Sequence, residues 1–264
     1  MLKIGKISYL NVYPFFSALD CLKFGSKFIE GEPSILNEML YNGEIDVSPS
    51  SSFEYIRNPD NYYIVKGLSV SSREKVLSVN LLLKKKIDEI EDDTIYLTPS
   101  SATSNELVKV IFKEFYNKKD IKFQMLKQNA LSRDNHLLIG DSALKVYFAK
   151  PKGFFIYDVA ELWYKFTGLP FVFALWLVNG KNKGSDKTKE INRLVTALNE
   201  SKKHFEIPKQ YKGFTFAQLK EYFEVIDYNL TDVHIESLKL FTMLLYKHRI
   251  INETIVFKWW EDNF

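Results

Sequence analysis

Lys27-Phe-Ile-Glu-Gly-Glu-Pro-Ser-Ile-Leu-Asn-Glu-Met-Leu-Tyr-Asn-Gly-Glu-Ile-Asp-Val-Ser48 carries the clearest fold signal in the chain. Lys27–Glu30 reads as a short strand, and Pro33–Tyr41 as a helix with Ile35, Leu36, Met39 and Leu40 at helical spacing. Asn42-Gly43 closes that helix, because Gly accepts the left-handed cap conformation without strain. Ile45–Ser48 is then a further strand. Upstream, Lys3–Tyr9 reads as a strand and Pro14–Phe24 as a helix that tolerates Pro14 in its first turn. Strand, helix, strand, helix, strand predicts right-handed crossovers in a parallel sheet.

Downstream the same alternation continues. Val76–Leu83, Ile95–Thr98, Lys122–Leu126, His136–Ile139 and Phe154–Tyr157 read as strands. Asn105–Tyr116, Asp141–Phe148 and Val159–Phe166 read as helices between them. Phe171–Val178 is a continuous apolar run bounded by Pro170 and Asn179-Gly180, the pattern of a strand buried on both faces. Beyond it the chain turns helical, over Lys187–Phe205, Thr215–Ile226 and Thr231–Lys247. Two α/β blocks followed by helices predict two lobes, with Val76–Leu83 and Phe171–Val178 as candidates for the passage between them.

Composition excludes several classes. The 264 residues are 46% hydrophobic and 26% charged, which is globular rather than disordered or fibrous usage. At about 150 residues per domain, one or two domains are expected. A net charge of +3 predicts no strong attraction to nucleic acid or membrane. The single cysteine, Cys21, excludes an intrachain disulfide and any cysteine-based metal site, and its apolar helical setting predicts a buried, inert thiol. Lys3 and Lys6 interrupt the apolar N-terminus, and the longest apolar run, Leu169–Val178, is too short to span a bilayer. A soluble, cytoplasmic protein is the expectation.

Nucleotide-binding glycine loops, H-E-x-x-H and G-x-S-x-G are missing. His204, His234 and His248 sit on charged C-terminal helices and read as ordinary surface or partly buried residues; His136 opens a strand beside Gly140-Asp141. Hydroxyl residues cluster instead where strands hand over to helices: Ser48-Pro-Ser-Ser-Ser52, Ser69-Val-Ser-Ser-Arg73, Thr98-Pro-Ser-Ser-Ala-Thr-Ser104 and Gly140-Asp-Ser142. Loops at the carboxyl ends of strands are where open α/β sheets bind ligands, and helix N-termini there favour anions. Ser51 with Glu54 and Thr103 with Glu106 also match the capping box, which accounts for one residue per turn without a ligand. The neighbouring Ser50, Ser52, Ser101 and Ser104 remain, and predict a polar, largely uncharged cleft suited to carboxylates.

Ile4-Gly-Lys-Ile-Ser-Tyr-Leu-Asn-Val-Tyr-Pro14 resembles the opening motif of the chorismate dehydratase family of the futalosine route to menaquinone. The resemblance continues, collinearly, through Gly43-Glu-Ile-Asp-Val-Ser-Pro-Ser-Ser-Ser-Phe-Glu-Tyr55, Ser71-Ser-Arg73, Ser101-Ala-Thr-Ser104, Leu138-Ile-Gly-Asp-Ser-Ala-Leu144 and Tyr157-Asp-Val-Ala-Glu-Leu-Trp163. Glu74-Lys75 departs from it, being more charged than expected of relatives. The resemblance implies an α/β, two-lobed type II periplasmic-binding-protein-like fold, with mixed sheets flanked by helices and a ligand cleft between lobes. One lobe would comprise residues 1–77 plus 173–264, the other 78–172. It further implies conversion of chorismate to 3-[(1-carboxyvinyl)oxy]benzoate and water, with no cofactor and no metal. Asn11 and Ser72 are then the catalytic candidates; Ser50, Ser51, Ser71, Arg73, Ser101, Thr103, Ser104 and Asp141 are candidates for binding the substrate.

Two other functions fit the same fold: a non-catalytic carboxylate-binding protein, and the sister 1,4-dihydroxy-6-naphthoate synthase, expected to use a histidine base. Neither a leader segment nor a basic helical module precedes the first strand, and the Ser-Tyr-Leu-Asn opening favours the dehydratase. Chorismate is the one partner expected, with oligomeric state left open.

Overall fold

A computed structural model describes residues 1–126, 134–203 and 205–260. The elements run β1 (Lys3–Lys6), α1 (Tyr13–Cys21), β2 (Lys27–Glu30), α2 (Pro33–Asn42), β3 (Val47–Ser51), α3 (Ser52–Arg57) and β4 (Tyr62–Ser72). Then follow β5 (Val79–Leu83), β6 (Thr94–Leu97), α4 (Ala102–Val110), β7 (Lys122–Met125), β8 (His136–Ile139), α5 (Gly140–Ala149), β9 (Phe155–Asp158) and α6 (Val159–Thr167). The chain ends with β10 (Phe171–Asn179), α7 (Thr188–Ser201), β11 (Gln210–Tyr211), β12 (Phe214–Thr215), α8 (Phe216–Val225), β13 (Ile226–Asp227), α9 (Asp232–Lys247) and β14 (Trp259–Trp260).

Apart from β11 and β12, which pair with each other, these strands form two mixed sheets. The larger is ordered β13-β4-β10-β3-β1-β2, with β14 also on β4; the smaller is ordered β7-β6-β8-β5-β9. β1 pairs in parallel with both β2 and β3, as the opening periodicity predicts, and Gly43 caps α2 in the left-handed conformation. β10 runs antiparallel between β3 and β4 and stays wholly in the larger sheet, so it is not itself a passage. The chain leaves that sheet over residues 73–78 and returns through α6.

Three local expectations change. Ser69–Ser72 is not a turn but the end of an eleven-residue strand, β4, flanked by β10 and β13. Its hydroxyls are absorbed by carbonyls: Ser69 Oγ donates to Asn229 O (2.6 Å) and Ser71 Oγ to Asp227 O (2.9 Å). Cys21 is exposed, because Phe15, Phe16 and Leu19 take the buried face of α1 and leave the helix end to solvent. Thr103 does not cap α4. Ser101 does, accepting from the Ser104 N–H, while Ser51 caps α3 and Glu54 turns away to Tyr62, Asn58 and Arg57. His204 lies outside the described residues.

One carboxylate ties the two passages together. Asp158, at the end of β9, accepts from Val76 N (2.9 Å), Leu77 N (2.7 Å), Ala160 N (2.9 Å) and Glu161 N (3.2 Å). The first two belong to the outgoing chain and the last two open α6, whose N-terminus Asp158 caps. Beside it Trp163 donates to Ser237 of α9 and packs edge-on against Phe171 and Phe241, so the returning chain is seated on an apolar seam.

Close backbone approach is needed once inside the larger sheet. A methyl at Gly5 would lie 2.4 Å from Ser48 Oγ and 2.9 Å from its Cβ, so Gly5→Ala is expected to destabilise by about 1–3 kcal/mol in urea titration. Asp158→Ala removes the acceptor of four backbone N–H groups and should cost at least about 3 kcal/mol. Burial pushes the Asp158 carboxyl up to about 6, against the pull of those N–H groups. The folded protein therefore holds this proton more tightly than the unfolded chain. Its contribution is full below the ordinary carboxylate range and lost as pH rises through about 6, a slope that Asp158→Asn should remove from a stability–pH profile.

Candidate functional site

A cleft with about 70 Å³ of enclosed space lies where the two sheets face each other. Its walls come from the end of β1 (Ile7, Tyr9, Asn11), β3 (Pro49, Ser50, Ser51), the 76–79 passage (Val76, Ser78), the start of α4 (Ser100, Ser101, Ser104), the β8–α5 junction (Ile139, Gly140) and β10 (Phe173, Ala174). Pro49 can sit in β3 because β1 pairs with β3 only at Ile4–Val47, so its missing N–H falls past the end of that ladder.

Five of the ten residues singled out in the sequence line this cavity: Asn11, Ser50, Ser51, Ser101 and Ser104. Two of them present an unsatisfied polar atom. Asn11 Oδ1 and Ser50 Oγ are buried and have no hydrogen-bond partner within the protein. A buried polar atom left unpaired costs about 1–3 kcal/mol, so two on one cavity wall mark places for ligand atoms. Around them the N-termini of α3, α4 and α5 converge. Ser51 and Ser101 each cap their helix, whereas α5 starts at Gly140 with no side-chain cap. Free N–H groups and the positive dipole end favour an anion there. Gly140 has φ +63°, and a Cβ on it would meet the Tyr9 ring at 3.7 Å. The positive φ, and not the space beside Tyr9, is what calls for glycine there; the Tyr9 ring lines the cavity and its hydroxyl donates to Glu32 Oε2 (2.9 Å). Burial and Glu32 together hold the Tyr9 phenol well above its usual range, so it stays protonated.

The other five stand outside the wall. Ser72 Oγ is buried and unpartnered at the end of β4, beside Phe171 and Ile226 in register. Ser71 is bound to the Asp227 carbonyl. Arg73 is exposed at the start of the passage. Thr103 Oγ1 accepts from Phe53 N (2.9 Å) and meets Ser52 Oγ (3.3 Å), whose own proton goes to Val172 O (2.8 Å). Thr103 therefore locks α4 of the smaller sheet to α3 of the larger one. Asp141 pairs with Lys212 (2.9 Å) and accepts from Leu10 N (3.5 Å), while Lys212 also donates to Ser8 O (2.7 Å). That cluster holds the segment leading to Asn11, and the Asp141 carboxylate is engaged by Lys212 and the Leu10 N–H rather than offered to a ligand.

Tyr9 and Ser78 escaped sequence reading because neither sits in a hydroxyl cluster, and Ser100, though inside the Thr98–Ser104 cluster, was not singled out from it. No histidine lines the cavity among the described residues. His136 is buried in the smaller sheet with Nδ1 on the Asp134 carbonyl (2.6 Å), and burial lowers its pKa, keeping it neutral. His234 is buried and not superficial, bonded through Nδ1 to Thr231. No group of three or more His, Cys, Asp or Glu poised to hold a metal occurs among the described residues, nor any helix long and apolar enough to cross a membrane. A larger groove of about 830 Å³, lined by Lys66, Asp232, Lys239, Phe257 and Trp259, is open to solvent and carries none of the hydroxyl-rich turns.

Removing the Thr103 hydroxyl should loosen the two sheets from each other. Thr103→Val orphans the Phe53 N–H and is expected to lower stability by about 1–3 kcal/mol, read from its urea midpoint.

A family model described as menaquinone biosynthesis matches residues 2–247. A chorismate dehydratase from Thermus thermophilus is 31% identical over 219 residues, 76% of each chain. One from Campylobacter jejuni is 34% identical over 176 residues, 64% of each chain. Among solved structures, the alkanesulfonate-binding protein SsuA from Xanthomonas axonopodis superposes with a TM-score of 0.68 at 14% identity, covering 96% of this chain and 95% of its own. The fold is that of the periplasmic binding proteins, two α/β lobes about a cleft.

Proposed function

The chain belongs to the menaquinone-biosynthesis family, and from that premise we propose that it is a chorismate dehydratase, a hydro-lyase that converts chorismate to 3-[(1-carboxyvinyl)oxy]benzoate and water. The observation that carries the reading at the level of the site is the pair of buried, unpartnered atoms, Asn11 Oδ1 and Ser50 Oγ, on a cavity where helix N-termini meet.

The reaction breaks the bond from ring C4 to its hydroxyl and the C3–H bond, and the ring becomes aromatic. Much of the driving force therefore resides in the substrate, and the protein's task is to hold one conformer, assist the leaving hydroxyl and keep competing rearrangements out. Asn11 Oδ1 is an acceptor in need of a donor, and the ring hydroxyl supplies one. Ser50 and the N-termini of α4 and α5 suit the two carboxylates. Ser72, buried and unpartnered, is a reserve hydroxyl one strand away that reaches the substrate only if the lobes shift on binding. The C3 proton passes to the substrate's own enolpyruvyl carboxylate in this account, which needs no protein base. A histidine base, which the sister naphthoate synthase would use, has no candidate on the described cavity wall. The division into lobes 1–77 plus 173–264 and 78–172, and action in the cytoplasm, are part of the same reading.

Incubation of the protein with chorismate alone, followed by liquid chromatography and mass spectrometry, should yield an aromatic product lighter by one water. Asn11→Ala is expected to lower kcat by about 10²–10³-fold, the usual loss for one positioned polar group at a reacting centre. Unchanged chorismate that nevertheless binds would point to a carboxylate-binding protein instead.

A further inference from the structure

Asn11 carries an acceptor that nothing within the protein holds, so its aim is inherited from the backbone beneath it. That backbone is a single 3₁₀ turn, Leu10–Val12, with no side-chain cap at its N-terminus. A turn so short makes few bonds of its own, and its course is set by whatever grips its ends. The grip comes from far along the chain. Lys212 Nζ donates to Ser8 O at 2.7 Å, and the Tyr211 hydroxyl donates to the same carbonyl at 3.2 Å. The same ammonium donates to Asp141 Oδ2 at 2.9 Å, and Asp141 Oδ1 faces Leu10 N at 3.5 Å. An ammonium has three protons and no lone pair, so the direction of its bonds is fixed.

Lys212 and Gly213 are the two residues that join β11 to β12, with Tyr211 opposite Phe214. Both have positive φ, +45° and +88°, the geometry of a tight hairpin that asparagine followed by glycine forms most readily. A lysine is uncommon in that conformation, and local preference does not account for it. What the position provides is reach from one sheet to the other. Ser8 follows β1 of the larger sheet, whereas Asp141 stands in the first turn of α5, directly after Gly140 of the cavity wall. One ammonium therefore ties the segment bearing Asn11 to the helix end that favours an anion. The Lys212 side chain is 45% exposed, so the ion pair itself adds little to stability.

We propose that Lys212 is a positioning residue for the dehydration: it clamps the Ser8–Asn11 segment to the N-terminus of α5, and so fixes the acceptor for the ring hydroxyl relative to the place of a carboxylate. Lys212 does not line the cavity, so it acts through Asn11 rather than on the substrate. The inference rests on the dehydratase reading and adds to it a part for the hairpin between α7 and α8.

Lys212→Asn tests it, because asparagine suits the turn but is too short, and uncharged, to keep the clamp. Its thermal midpoint is expected to equal or exceed that of the wild type, while kcat for chorismate falls by about tenfold. Lys212→Arg, which keeps a cation and several N–H donors on a long stem, is expected to retain most of the wild-type kcat. On an Asn11→Ala background, Lys212→Asn is expected to cost less than about twofold, because the lysine acts through the asparagine. Wild-type kcat in Lys212→Asn would overturn the proposal, and so would a fall by the same factor whether asparagine or alanine stands at 11. A kcat that falls only together with the thermal midpoint would also overturn it, since that is the mark of a hairpin that merely supports the fold. Wild-type protein that leaves chorismate unchanged would overturn the dehydratase reading and this inference with it, whereas an active wild type with an additive cycle would overturn the inference alone.

Discussion

Everything that faces the cavity from the smaller sheet depends on how the chain enters and leaves that sheet, and one carboxylate governs both events. Asp158 satisfies two N–H groups of the outgoing passage and two at the start of the returning helix. Taking a carboxylate out of water is costly, and its raised pKa is the mark of that cost. Four N–H donors offset it only when both passages hold their folded course. The arrangement therefore couples them: a passage that drifted would leave a buried charge undersupplied. The seam of Trp163, Phe171 and Phe241 adds apolar contact at the same junction.

From that junction the cavity acquires its chemistry by subtraction. Many hydroxyls cluster nearby, but most are spent inside the protein: Ser71 on a carbonyl of β13 and Ser69 on one just beyond it, Ser52 on Val172, Thr103 on Phe53. What is left over is specific. Asn11 Oδ1 and Ser50 Oγ lack partners on the cavity wall, and Ser72 Oγ lacks one a strand away. Charges follow the same logic. Asp141 is neutralised by Lys212 and Glu32 is bonded by Tyr9, so the carboxylates nearest the cavity are engaged and the helix N-termini set the local sign. A dianionic substrate that aromatises by losing water asks for such a wall, made of donors, dipoles and shape, and makes little demand for a strong base.

The opening of the chain was legible because local and global signals agree there: helical spacing in α2, a glycine where the cap needs positive φ, and β-favouring residues on either side. β4 was illegible at its end because Ser69, Ser71 and Ser72 have no alternation of their own; the carbonyls that Ser69 and Ser71 reach, on Asn229 and Asp227, lie some 160 residues further on. The capping signal at Thr103 was real in pattern and wrong in assignment, since a serine two positions earlier caps the helix and frees the threonine to reach α3. Ser50, Ser51, Ser101 and Ser104 could be anticipated as hydroxyls where strands hand over to helices, and Asn11 from the family resemblance of the opening motif. Ser78 could not. It is a lone serine before a strand, and only the fold brings its oxygen to 3.0 Å from that of Tyr222.

The central claim is that the dicarboxylate sits between the N-termini of α4 and α5 with its polar atoms on Asn11 and Ser50. A crystal structure of the protein soaked with 3-[(1-carboxyvinyl)oxy]benzoate tests this most directly. The account predicts ligand density in that cavity, with a carboxylate accepting from Ser50 Oγ and the ring edge that carried the lost hydroxyl facing Asn11 Oδ1. Density in the open groove between Lys66 and Trp259 instead, with Ser50 Oγ still unpaired, would contradict it.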